Sequence, residues 1–344
     1  MLVPYLRSSL IGSYSICEHK SFIEYNLGIK GQSNFSADSG TSTHKSLELL
    51  AQKKKAIQDG KGFIDNEIFD EPYDINLITE ESAFEMGWSH CKKVMNHHTQ
   101  WDCVDTKVIY KSMYDEMLKF RGGEYNPLNL DVIEPEQYFD IEIKEDWAKY
   151  DYLIDGEKYS GFLSVKGTMD LIFNNTGYLS GMDYKTGKSR RDWATGKTKD
   201  LEAFKKDKQL LLYSFAIKNL FNIDEFSIII YYLQAGGPYE VYFDKKTYKQ
   251  AENMIKEYFL KISRNTSPSL AKNGDWYSRS KCKWCDYNKV RPEFHKTKTV
   301  CEFFSDNLVN LGMDKVMAKY VKKDKIFAYG SGGGRGIQEK AIDG

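Results

Sequence analysis

The stretch that decides the reading of this chain begins Gly167-Thr-Met-Asp170, continues L-I-F-N-N-T-G-Y-L-S-G-M, and reaches Asp183-Tyr-Lys-Thr-Gly187. A charged run then ends in Gln209-Leu-Leu-Leu-Tyr213. Val165 to Phe173 and Tyr178 to Tyr184 are rich in β-formers and flank Asn174-Asn175-Thr176-Gly177, a strong turn signal. The expected element is a β-hairpin. Side chains alternate along a strand, so Asp183 and Lys185 project from one face, and Asp170 comes beside Asp183 from the partner strand. Two carboxylates with a lysine beside them suit a hard divalent cation and a phosphate. An isolated D-x-K is more often plain surface charge, so the elements around the hairpin decide the matter.

The chain has 344 residues, 41% hydrophobic and 14% aromatic. That is enough for a sizeable core in one large domain or two smaller ones. Lys plus Arg and Asp plus Glu are 49 each. The zero balance argues against a globally basic nucleic-acid binder but says nothing of local segregation. From Lys185 to Lys208 there are nine Lys or Arg against four Asp or Glu, and from Arg279 to Lys298 seven against two. These runs flank the hairpin, where a polyanion would need them, although either alone is also an ordinary solvated face. No run of about 18 apolar residues exists, so no transmembrane helix or membrane partner is expected. The amino-terminal residues lack the apolar block of a signal peptide. A cytoplasmic protein with reduced thiols is expected, and its six cysteines call for a reason other than disulfides.

Thr41 to Lys53 reads as a helix on which His44 and Glu48 are one turn apart. A lone His is usually structural, and a surface position is the simpler reading of Glu48. Glu80 to His98 and Thr106 to Phe120 are helical in pattern, so residues 41–120 form a helical lobe beside the sheet. Residues 56–78 read as a loop, and Val132 to Ile143, carrying Glu136, as a strand. Leu201 to Phe221 has the apolar spacing of one amphipathic helix and puts Gln209 and Tyr213 on one face. Phe226 to Gln234 and Tyr239 to Phe243 complete the sheet, and Lys245 to Ile262 is a further helix. Cys91 and Cys103 lack ligand spacing and read as free thiols. Cys282-Lys-Trp-Cys285 is a metal clamp in form, two thiolates on one tight turn. With Cys17 and Cys301 it makes four ligands, for an iron–sulfur cluster, for zinc, or for no metal. The glycine-rich end, 330–344, lacks the G-K-[ST] of a phosphate loop and reads as a flexible tail.

Gly167 to Asp170, Asp183 to Gly187 and Gln209 to Tyr213 resemble the G-x-x-D, D-Y-K-T-G and Q-x-x-x-Y motifs of RecB-type nucleases in the PD-(D/E)XK superfamily. The likeness extends to the iron–sulfur-containing CRISPR-associated and AddB-like exonucleases. It implies an α/β, restriction-endonuclease-like fold: a central mixed sheet flanked by helices, with a helical insertion. The implied nuclease domain is 1–329, with the helical lobe at 41–120, the catalytic core at 130–263 and a Cys-containing closure at 264–329. G-T-S-T-H-K-S-L-E resembles the family's first motif, which adds His44 to Asp170, Asp183 and the Tyr184 carbonyl as ligands of Mg²⁺ or Mn²⁺. Lys185 would orient the attacking water or stabilise the phosphorane, with a depressed pKa permitted by nearby cations. Gln209 and Tyr213 would position the DNA and the carboxylates, and Glu136 matches an acidic position near the family's site. Lys188, Arg190 and Arg191 would contact DNA phosphates. Cys17, Cys282, Cys285 and Cys301 would hold a [4Fe–4S] cluster, with Zn²⁺ as the alternative; the 15 residues between the last two are a departure from the family's closer spacing.

The implied activity is a metal-dependent deoxyribonuclease, an exonuclease on single-stranded DNA or DNA ends in recombination, repair or CRISPR-type processing. No helicase motor motif is present, so a helicase or recombination partner would be another chain. A structure-specific endonuclease and a non-catalytic DNA-binding subunit are the alternatives. The intact set of Asp170, Asp183 and Lys185 speaks against the latter.

Overall fold

A computed structural model describes residues 1–31, 35–94, 104–187, 197–232, 236–271 and 276–322. From the amino end come β1 (Tyr5–Leu6), α1 (Ser8–Ile16), the single turn α2 (Glu18–Ser21) and the long α3 (Phe35–Gln58). A two-stranded ribbon of β2 (Phe63–Ile64) and β3 (Tyr73–Asp74) precedes α4 (Glu80–Val94) and α5 (Val104–Lys119). Next are β4 (Asp131–Glu142), a separate hairpin of β5 (Lys149–Ile154) and β6 (Glu157–Phe162), then β7 (Ser164–Asn175) and β8 (Tyr178–Lys185). The chain continues through α6 (Leu201–Lys205), α7 (Lys208–Phe221), β9 (Phe226–Tyr232), β10 (Gly236–Phe243) and α8 (Lys245–Ser263). It closes with α9 (Trp276–Lys281), α10 (Val300–Leu311) and α11 (Met313–Tyr320).

Strand β7 organises the six-stranded mixed sheet. One edge pairs antiparallel with β4 over nearly its whole length, from Glu142↔Ser164 to Asp131↔Asn174. The other edge is shared. Its far half, Leu171 to Asn175, pairs antiparallel with β8, while Ser164 and Val165 pair parallel with β1. Between them, among the described residues, no strand covers that edge, and the sheet forks. Beyond the fork β8 runs parallel to β9, which pairs antiparallel with β10. The β7–β8 connection is the turn the sequence predicts: Thr176 and Gly177 take φ of 52° and 89°, and Asn174 Oδ1 accepts the Gly177 N–H at 2.8 Å.

Two hydrophobic cores sandwich the sheet. On one face Leu171, Phe173, Met182, Tyr184 and Ile229 pack with Leu49 and Leu50 of α3, Phe84 of α4 and Tyr114 of α5. On the other, Ile172, Ile228 and Ile230 pack with α7, with Ile255 and Phe259 of α8, and with Leu10 and Ile11 of α1. Each such side chain contributes about 1.5–3 kcal/mol by leaving water. This is the expected central mixed sheet flanked by helices. No helix among the described residues is long and apolar enough to cross a membrane.

Three expectations are corrected. Leu201 to Phe221 is two helices, because Asp207 turns out of the helix (φ −65°, ψ 130°) and its carboxylate caps α7 through the Gln209 and Leu210 N–H groups. Residues 56–78 hold the end of α3 and the β2–β3 ribbon rather than a plain loop. Residues 1–40, for which no element is predicted from sequence, hold β1, α1, α2 and the start of α3.

Candidate active site

The fork places the predicted residues around one point. The last β7–β8 ladder pair is Leu171↔Met182, so Asp170 and Asp183 are the first residues past it, side by side where the strands part. The Asp170 carboxylate replaces the missing ladder bond: its Oδ2 accepts the Tyr184 N–H at 2.7 Å. Its Oδ1 meets His44 Nδ1 at 3.0 Å, which ties α3 to the sheet. The crossing of α4 over α3 sets where His44 stands. Gly87 makes it possible, since a Cβ there would lie 2.4 Å from Ser46 Oγ and 2.8 Å from the Ser42 carbonyl.

Asp183 is 2% exposed. Its Oδ1 accepts Gln209 Nε2 at 3.1 Å and the Tyr213 hydroxyl at 3.3 Å. Its Oδ2 is held by the Lys185 ammonium in an ion pair at 2.7 Å. Gln209 joins the two sides, accepting from Lys185 Nζ at 3.0 Å and lying 2.6 Å from the Tyr213 hydroxyl. Tyr213 is braced in turn by Phe139, whose ring meets it edge-to-face at 6.2 Å. Phe139 can lie there only because residue 167 is glycine: a Cβ would stand 2.5 Å from the ring. The first residue of G-x-x-D therefore acts through Phe139 on the last of Q-x-x-x-Y.

The charges divide unequally. Burial raises the Asp183 carboxyl, and the charge of Asp170 adds to that rise against the pull of Lys185. Burial works the same way on Asp170, but the charge and hydrogen bond of His44, with Lys185 behind, hold it below its usual range. Burial presses the His44 imidazolium down, yet Asp170 outweighs it and lifts the pKa to about 9. For Lys185, burial is likewise outweighed by Asp183, Asp170 and Asp207, so its pKa is raised. Two like charges in one buried site, pushed in opposite directions, are the pattern of a hydrolytic centre.

The model of the PD-(D/E)XK nuclease superfamily matches residues 9–290. The chain belongs to the PD-(D/E)XK nuclease superfamily. That membership implies hydrolytic nuclease activity. Among solved structures, the chain is similar to a "putative exonuclease" from Eubacterium rectale, 11% identical over 84% of this chain and 89% of that one, with a TM-score of 0.45. It is also similar to SSO0001, 15% identical over 72% and 84% of the two chains, with a TM-score of 0.26. No curated protein matches it.

The other expected residues fall around this superfamily site in different ways. Glu136 lies between the pairs Pro135↔Leu171 and Gln137↔Met169, in register opposite Asp170, and takes a left-handed φ of 52°. Glu48 is corrected from the surface to the interior. It is 3% exposed and bound to Lys45, Asn66 and Gln52. Lys188, Arg190, Arg191 and Cys103 lie outside the described residues.

All four expected cysteine ligands lie among the described residues. Cys17 caps α2 through the Lys20 N–H, Cys282 and Cys285 bracket a tight 3₁₀ turn, and Cys301 begins α10. Among the described residues no three His, Cys, Asp or Glu side chains stand together as a metal-holding group. The residues before Cys301 form a loop closed by the Val290↔Thr299 bridge, His19 of α2 meets the Cys301 carbonyl at 3.1 Å, and burial, with Cys17 nearby, raises the Cys285 thiol. Sequence reasoning also missed Asp207, whose place just before an apolar helical period is an N-cap signal.

Proposed function

We propose that this chain is a metal-dependent deoxyribonuclease working at the fork between β7 and β8. The observation that carries the reading is the pair Asp170 and Asp183, side by side and buried where the strands part, with Lys185 beside them. Two hard carboxylates suit Mg²⁺ or Mn²⁺, which Asp170 and Asp183 would hold with His44 and the Tyr184 carbonyl. In the arrangement seen here His44, the Tyr184 N–H and Lys185 engage those oxygens, and among the described residues no three His, Cys, Asp or Glu side chains stand together as a metal-holding group. The chemistry such an ion supplies is a more acidic bound water and neutralisation of charge on the phosphate.

The chain's own groups do the rest. Lys185, kept cationic by Asp183, stabilises charge growing on the phosphate oxygens. Gln209 and Tyr213 fix the rotamer of Asp183 and keep Lys185 in reach of the reacting group. His44 anchors Asp170. Lys188, Arg190 and Arg191 follow the site in sequence and contact backbone phosphates, which suits cutting without sequence preference. The favoured action is exonucleolytic, on single-stranded DNA or DNA ends, within recombination, repair or CRISPR-type processing alongside a helicase or recombination protein. The motif resemblance supports this setting, and the reading requires neither an iron–sulfur cluster nor zinc at the cysteines.

End-labelled linear DNA, single- and double-stranded, and closed circular DNA incubated with Mg²⁺ or Mn²⁺ test the proposal. Stepwise shortening of linear strands with circles left intact is expected. Cutting of circles would replace the exonuclease with an endonuclease, and no cutting at all would sink the enzyme.

A further inference from the structure

The uncovered edge of β7 holds more than Asp170. A cavity of about 190 Å³ opens in the same fork, lined by Arg7, Ser8, Lys166, Thr168 and, on the side of the proposed site, Tyr213. At about 30 Å³ per water it has room for roughly six waters, enough for one phosphate group and part of its hydration. The pairing of β1 with β7 creates it: Leu6 pairs with Val165, so Arg7 and Lys166 follow as neighbours where the chain leaves the sheet for α1. Both cations lie over the Tyr5 ring, at 6.0 and 5.6 Å. Lys166 is neutralised by its cross-strand partner Asp140 at 2.8 Å. Arg7 has no carboxylate partner among the described residues. The cavity therefore keeps one uncompensated guanidinium, the planar fork best shaped for phosphate oxygens, with Ser8 and Thr168 among the hydroxyl-bearing residues beside it.

Its position says which phosphate. Thr168 is two residues before Asp170 on β7, about 6.6 Å along the strand, close to the distance between successive phosphates of an extended nucleic-acid strand. Tyr213 belongs to both places: it lines the cavity, and its hydroxyl donates to Asp183.

We infer that this cavity binds the phosphate group next to the scissile one, with Arg7 as its main contact. The inference rests on the nuclease reading. It deepens that reading by naming what the enzyme grips: the terminal phosphate of a strand end, or an internal phosphodiester, the two sources of the same chemistry. Arg7 and Thr168 are positioning residues for the strand.

Equilibrium binding of short deoxythymidine oligonucleotides in EDTA, where metal-dependent cleavage cannot occur, tests this in the full chain. The oligonucleotides carry a 5′-phosphate, a 3′-phosphate or only hydroxyl ends. Wild type, Arg7→Gln and Arg7→Lys are compared at several salt concentrations, with Lys166→Gln as a second variant should Arg7→Gln fail to fold. About tenfold tighter binding of one phosphorylated end, lost in Arg7→Gln and partly kept in Arg7→Lys, assigns a terminal phosphate. Equal binding of all ends, with Arg7→Gln weakening each and lowering the salt slope by about 0.7, assigns an internal phosphodiester. Binding by Arg7→Gln equal to wild type for every oligonucleotide and salt overturns the inference. If wild type showed the end preference yet cut no DNA with metal, the nuclease reading would fail while this site stood.

Discussion

Two buried charged networks meet on α3, at neighbouring residues. His44 turns to Asp170 and, through it, to the fork holding Asp183, Lys185, Gln209 and Tyr213. Lys45, about 100° further round the helix, pairs with Glu48 and with Glu67 at 2.8 Å, where Asn66 and Gln52 complete the hydrogen bonds. Burial and charge are common to both, so neither property marks a functional site by itself. The arrangement differs. The Lys45 network alternates acid and base, draws only on α3 and the loop after it, and leaves no oxygen idle at Glu48. The fork draws on α3, β7, β8 and α7, sets two carboxylates side by side, and raises one carboxyl while lowering the other. One network pairs acid with base; the other crowds two carboxylates around one lysine.

Mutations can break this contrast. The largest effect is expected from Asp170→Ala, which should lower DNA cleavage at least about a thousandfold, ~4 kcal/mol in the barrier, far beyond the fall in melting temperature that losing its His44 and Tyr184 N–H contacts brings. Steady-state cleavage and thermal unfolding measure both. Glu48→Ala should do the reverse. It strands a buried lysine with only the half-exposed Glu67, costing about 2 kcal/mol of stability, while the rate per folded molecule holds. Denaturant unfolding beside an active-fraction assay separates the two. If Glu48→Ala instead abolished turnover without unfolding the protein, Glu48 would belong to the site after all.

The smaller effects sharpen the link between the site and its supports. Gly167→Ala drives a methyl into the Phe139 ring in a packed core, and overpacking of this kind costs about 1–3 kcal/mol. Because Phe139 braces Tyr213, cleavage should fall together with stability, and restoring space with Phe139→Leu should recover part of the stability. Gln209→Ala removes one positioning group among several. It should reduce the cleavage rate about tenfold, ~1.4 kcal/mol, with little change in melting.

Much of the fork was legible in the sequence. The hairpin followed from alternation and an Asn-Gly-rich turn, the shared face of Asp183 and Lys185 from the period of a strand, and that of Gln209 and Tyr213 from the period of a helix. What failed to show was whatever depends on distant partners. The strand β1 has two residues, and its partner lies 159 positions on, at Ser164; no local pattern signals such a pair. The fork and the cavity below it exist only because of that pairing. Glu48 was misread because a helix stretch with Lys45, Glu48 and Gln52 has the composition of a solvent face, and only the fold of the following loop buries it. At the cysteines, spacing suggests a centre, while among the described residues no three His, Cys, Asp or Glu side chains stand together as a metal-holding group.

The most direct measurement sets the two networks against each other: single-turnover cleavage of end-labelled single-stranded DNA with Mn²⁺ by wild type, Asp183→Ala and Glu48→Ala. The account predicts that Asp183→Ala loses cleavage by about a thousandfold or more while staying folded, and that folded Glu48→Ala cuts at the wild-type rate. Cleavage by Asp183→Ala as fast as by wild type would contradict it.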